Sequence, residues 1–110
     1  MKVLLVVCNV PDAMVADRLA ETLVAERLAA CVNILPECDS VYRWQGQLER
    51  AREIPLLIKT ADTVYAALEQ RIQELHPYDV PEIIALPLAA GSMAYQQWVM
   101  AEVTTDCGAS

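Results

Sequence analysis

Phenylalanine is absent from this sequence, glycine occurs three times and histidine once. The scarcity of glycine goes with the absence of phosphate-cradling loops: there is no G-x-G-x-x-G and no G-x-x-x-x-G-K-[ST]. The G-x-S-x-G nucleophile turn is missing as well. Eight Lys and Arg stand against fifteen Asp and Glu, for a formal net charge of -7. The basic residues are scattered, whereas a surface that follows nucleic-acid phosphates needs them clustered, so nucleic acid is not expected as a partner. RNA-binding sandwiches also need aromatic strand motifs, which this chain lacks. Cys8, Cys31, Cys38 and Cys107 show no C-x-x-C spacing, which argues against a zinc ribbon and a thioredoxin-like pair. No apolar run reaches the roughly 18 residues of a membrane span. The opening MKVLLVVCNVPD is a short apolar run that leads into an amphipathic helix without an A-x-A-like site, unlike a signal peptide. The expectation is a soluble, cytoplasmic protein with reduced thiols and no membrane partner.

What is present is apolar. Of 110 residues, 55% are hydrophobic. The length fits one domain, 1–110, and a domain of that size buries only about two-thirds of its unfolded surface. That composition exceeds what one small core uses and points to an oligomer.

Residues 2–10 form a Val- and Leu-rich run suited to a strand buried on both faces. Asp12 is placed to cap a helix whose apolar positions, Leu19, Ala20, Leu23, Val24 and Leu28, carry it to about residue 28. CVNILPECDSVYRWQ predicts a second strand, with a bulge or interruption at Pro36. Gln45-Gly46 predicts a tight turn, and LERAREIPLLIKT returns as a third strand, completing a long hairpin. Pro55 removes a ladder donor and suits an edge or bulge. A second helix is predicted from Asp62 to His76, stopped by Pro77. PEIIALPLA follows as a fourth strand, and Ser92 caps a C-terminal helix carrying Tyr95, Trp98 and Val99. The tail, about 104–110, is predicted to fray. The order βαββαβ plus a terminal helix defines an α+β, ferredoxin-like sandwich with a long central hairpin.

A sheet covered by helices on one face alternates apolar and polar residues if its other face meets water. Val3 to Val7, Ile54 to Ile58 and Ile83 to Leu88 do not alternate. The second face is therefore expected to pack on copies of itself, with the hairpin extending a neighbour's sheet.

His76, the only histidine, lies between a predicted helix and two prolines, in ELHPYDVPEIIALPL. It suits a helix C-terminal cap or a rigidly held ligand. Glu82, locked by Pro81, is a solvent-facing strand start or a buried site group. Cys8 reads first as a small core residue. Together the three offer sulfur, nitrogen and oxygen donors, a set that suits copper or zinc if the fold brings them together. Tyr42 and Trp44 alternate on the hairpin and suit an oligomer interface. Tyr78 and Trp98 are packing or stacking residues, and Lys59 is an edge lysine or a partner for Glu82 or an acidic ligand.

The segments VCNVPD (7–12), ERLAACVNILP (26–36), SVYRWQGQLE (40–49), LLIKT (56–60) and HPYDVPEIIALP (76–87) resemble the CutA family, the divalent-cation tolerance proteins, in family order over nearly the whole chain. The resemblance implies a homotrimer of ferredoxin-like subunits similar to the PII signalling proteins. It also implies copper, or another divalent cation, bound by the first-strand cysteine, the HPY histidine and the PEI glutamate, here Cys8, His76 and Glu82. Two positions depart from the family pattern: Asn9, where Thr often follows the cysteine, and Gln47, where Lys often follows the hairpin glycine. The expected role is cation binding rather than catalysis. The alternative is a PII-like regulator that holds a small metabolite or partner protein in a cleft between subunits, lined by Lys59, Tyr78 and Trp98 beside His76 and Glu82.

Overall fold

The structure, a computed structural model, describes residues 1–103; the predicted tail at 104–110, with Cys107, lies outside the described residues. Strand β1 (Val3–Val10) leads to helix α1 (Ala13–Ala25), strands β2 (Cys31–Ile34), β3 (Cys38–Trp44) and β4 (Gln47–Ala61), helix α2 (Tyr65–Leu75), strand β5 (Ile84–Pro87) and helix α3 (Met93–Val103). The strands β2 and β3 together occupy the place of the single predicted second strand. The sheet order is β2-β4-β1-β5, with β3 also paired to β4. β4 is antiparallel to β1, β2 and β3, and β5 is antiparallel to β1. This is the ferredoxin-like α+β arrangement, in which α1 and α2 each connect two strands separated by a third.

Local chemistry sets the boundaries. Asp12 caps α1 by accepting the Val15 amide proton on Oδ1 at 2.9 Å, as expected. The helix ends at Ala25 rather than near residue 28, because Arg27 takes a left-handed φ of 60°. The Leu28 and Ala29 amides then both donate back to the Leu23 carbonyl, which satisfies the end of the helix. Helix α2 begins at Tyr65, not Asp62. The Asp62 carboxylate is instead engaged by the Lys2 amide at 2.8 Å, so it ties the chain start to β4 rather than capping. The predicted fourth strand shrinks to Ile84–Pro87, opposite Leu4–Val7, since Pro81 and Pro87 each remove a donor from the ladder.

The hairpin turn is Gln45-Gly46, with φ of 51° and 80°. Two successive positive φ values are the mirror-image turn that matches strand twist. At its other end β3 is offset from β2. The Leu35 amide donates to the Pro55 carbonyl, and Cys38 lies opposite Glu53. Pro36 and Glu37 thus face the single residue Ile54, which is a bulge. The bulge changes the phase of the strand, so Ser40, Tyr42 and Trp44 share a sheet face with Glu53 and Asn9. The hairpin gives the chain a long dimension of 48 Å against 28 and 23 Å.

Val6, Cys8 and Val10 of β1 and Leu56 and Ile58 of β4 meet Ala16, Leu19, Leu23, Leu68 and Ile72 of the two helices in one buried core. The opposite face carries Leu5, Val7 and Leu57, half-buried, and Ile84 and Leu86, exposed. Helix α3 covers only one end of it, where Val99 and Val103 are buried with Val3 and Ala61.

Candidate functional site

The chemistry-bearing residues gather around Asn9, at the end of β1. His76 leaves the last turn of α2, where its amide donates to the Ile72 carbonyl at 2.8 Å. Pro77 stops the helix there. The imidazole is 6% exposed. It does not cap its own helix. Nε2 lies 2.8 Å from the Asn9 carbonyl oxygen, and Nδ1 accepts the Tyr78 amide at 3.2 Å. This pairing fixes the neutral tautomer, with the proton on Nε2. The ring also packs on Tyr78, with centroids 4.7 Å apart.

The Asn9 side chain binds the other side of the cluster. Its Nδ2 lies 3.4 Å from Glu53 Oε1 and 3.4 Å from Glu82 Oε1. Glu53 is 7% exposed and accepts a hydrogen bond from the Tyr78 hydroxyl at 2.9 Å. Burial, then the bond and charge of Glu53, push the Tyr78 phenol up to about 12. Sequence reasoning missed Glu53, which looks like one more charge in the run Glu49 to Glu53. It singled out Asn9 only as a departure from pattern. Position 53 pairs with Cys38, directly beside the bulge, and that offset was the one signal available.

Cys8 is fully buried in the helix-covered core. Burial, with smaller contributions from Glu82 and Glu53, pushes its thiol up to about 12. Successive strand residues point to opposite faces, so Cys8 and Asn9 lie on different sides of β1. Glu82, bonded to Asn9, is exposed on the far side. The fold therefore brings Cys8, His76 and Glu82 to one end of the sheet, but β1 stands between the thiol and the carboxylate. Both imidazole nitrogens are engaged and the thiol lies in the core, across β1 from Glu82, so a metal on this set would have to displace the thiol proton and free an imidazole lone pair. Among the described residues, no group of three or more His, Cys, Asp or Glu side chains is placed to hold a metal directly.

Asn9, Glu53 and Glu82 open instead into a pocket of about 680 Å³. Ser40, Val41, Tyr42 and Trp44 of the hairpin and residues 77–80 complete its walls. It carries three carboxylates, from Glu53, Asp79 and Glu82, and among the described residues no Lys or Arg lines it. Of the expected cleft residues Tyr78 and Glu82 lie here. Lys59 pairs with the Asn33 side chain and Cys31 rather than with Glu82, and Trp98 stacks beside Tyr95 on α3. Within one chain these two are remote from the pocket. Tyr42 and Trp44, expected at an interface, line the pocket with exposures of 42% and 44%.

A ferredoxin-like sandwich with an acidic, aromatic pocket at the end of its first strand defines the class of protein. The particular family follows from comparison. The chain matches the model of the CutA1 divalent ion tolerance proteins over residues 4–102 and belongs to that family. It is 49% identical over 94 residues to the divalent-cation tolerance protein CutA of Thermus thermophilus, covering 86% of this chain and 91% of that protein. It is 43% identical over 89 residues to the human protein CutA, covering 81% of this chain but 50% of the longer relative. Among solved structures, CutA from Xylella fastidiosa superimposes with a TM-score of 0.90 at 43% identity, over 94% of this chain and 99% of that one.

Proposed function

We propose that the protein is a homotrimer that binds divalent cations in the pocket beside Asn9, as a binding protein rather than an enzyme. The observation that carries this reading is Glu53. Its carboxylate is almost fully buried, its two partners are the neutral Asn9 amide and Tyr78 hydroxyl, and its neighbours in the pocket are Asp79 and Glu82. Among the described residues no cationic side chain lines the pocket beside these three carboxylates, and a bound cation supplies that counter-charge. The relatives named as divalent-cation tolerance proteins support the same direction. Oxygen donors spaced around an open pocket suit a hydrated cation that keeps most of its waters, rather than a soft metal in a thiolate cage. Copper at Cys8, His76 and Glu82, which the family resemblance implies, requires the imidazole to leave Asn9 and the thiol to lose its proton.

Trimer formation accounts for the uncovered sheet face. Ile84, Leu86 and Leu88 expose 51%, 49% and 38% of their surface side by side, an arrangement that marks an interaction site. Light scattering is expected to give three times the 12.2 kDa of the chain, and a monomer would refute the assembly. Calorimetric titration of the reduced protein with Mn²⁺, Mg²⁺ and Cu²⁺ tests the site. Glu53→Gln and Glu82→Gln are expected to weaken binding of each ion. Unchanged affinity in both variants refutes the pocket, and copper binding lost only in Cys8→Ala and His76→Ala assigns it to the thiol and imidazole.

A further inference from the structure

The same pocket has more space and more aromatic wall than an inorganic ion uses. A cation with six waters fills on the order of 200 Å³ at about 30 Å³ per water, whereas the cavity measures about 680 Å³. Its size falls in the range of organic-ligand sites. Tyr42 and Trp44 lie two residues apart on one face of β3, and Tyr78 also lines the pocket. The faces of such rings attract cations and bury methylene chains.

The polar groups narrow the class further. The Glu53 carboxylate accepts one good hydrogen bond, from Tyr78, and one long one, from Asn9 at 3.4 Å. Glu82 shares the same long donor. A carboxylate takes about four hydrogen bonds, so both keep acceptor capacity that a ligand with N–H groups fills and a quaternary ammonium does not. Asp79 adds a third acceptor group on the loop of residues 77–80. Three carboxylates, one from β4 and two from the α2–β5 loop, call for more than one positive charge on a single molecule. Methylene segments between those charges match the aromatic wall.

We propose that this pocket binds a linear aliphatic polyamine, its ammonium groups on Glu53, Asp79 and Glu82 and its methylenes against Tyr42, Trp44 and Tyr78. The proposal rests on the placement of positive charge in this pocket but not on a metal filling it.

The test is calorimetric titration of the assembled, reduced protein with spermidine, Mg²⁺ and tri-lysine at one ionic strength, repeated on Glu53→Gln and Trp44→Ala. Trp44 is at the exposed hairpin end, so its removal leaves the core intact. Spermidine is expected to bind at least tenfold more tightly than Mg²⁺ and to change Trp44 fluorescence. Glu53→Gln is expected to weaken both cations about tenfold, and Trp44→Ala to weaken spermidine alone. Spermidine binding no tighter than Mg²⁺, or unaffected by Trp44→Ala, overturns the polyamine assignment while retained Mg²⁺ binding leaves the divalent-cation reading standing. Spermidine binding without Mg²⁺ binding has the reverse meaning. Tri-lysine binding as tightly as spermidine overturns the free polyamine in favour of a lysine-bearing protein partner.

Discussion

Alkali should destabilise this protein through Cys8. The thiol has an ordinary value of 9.0 and is pushed up to about 12 in the fold, chiefly by burial. Below pH 9 the folded and unfolded chains both hold the proton, and the stability of the neutral thiol is fully present. Between pH 9 and 12 the unfolded chain releases its proton while the folded chain keeps it, so stability is lost as pH rises. A three-unit gap corresponds to about 4 kcal/mol when the loss is complete, and to about 2–3 kcal/mol at pH 11. The assay is urea denaturation of the wild type and Cys8→Ala, in reductant, at pH 8 and pH 11. At pH 8 the alanine variant should be the less stable by on the order of 1 kcal/mol, from lost packing. At pH 11 the order should reverse. Tyr78 and the other tyrosines titrate in both proteins and cancel in the difference. A gap that stays constant between the two pH values would show that Cys8 ionises like an exposed thiol. The desolvation reasoning would then fail, and so would the objection to Cys8 as a ready thiolate ligand.

Leu56→Ala removes a fully buried β4 side chain from the centre of the core and should cost about 2–5 kcal/mol in denaturant unfolding. Asp12→Ala deletes the α1 cap on Val15 and should cost about 0.5–2 kcal/mol, with Asp12→Asn largely restoring it. His76→Ala strips the Asn9 carbonyl and Tyr78 amide of their partner and should cost about 1–3 kcal/mol. Hydrogen exchange should then rise at Tyr78 and its neighbours before it rises in β1; protection unchanged at Tyr78 would refute the anchoring role of the imidazole.

The opening apolar run, the Asp12 cap, the Gln45-Gly46 turn and the stop at Pro77 were legible because each is a local rule written in a few adjacent residues. So was the unpartnered second face, since a strand that fails to alternate shows it in its own sequence. Boundaries went astray where a distant group intervened. Asp62 looked like the start of the second helix, but the Lys2 amide engages it from the residue ahead of β1. Arg27 ends α1 in a left-handed conformation that composition does not announce, and its guanidinium reaches the Glu102 carbonyl on α3.

For the site, the sequence determined which donor types exist and that His76 and Glu82 would sit near each other, because prolines confine the chain between them. It did not determine which face each donor would occupy. The pleat sends Cys8 and Asn9 to opposite sides of β1, and the bulge at Pro36 and Glu37 turns Tyr42 and Trp44 toward Glu53. Both outcomes depend on strand pairing, of β1 with the distant β4 and of β3 with β4 across the hairpin. Tertiary structure alone therefore decided that the convergence is on Asn9 and an acidic, aromatic pocket rather than on the cysteine.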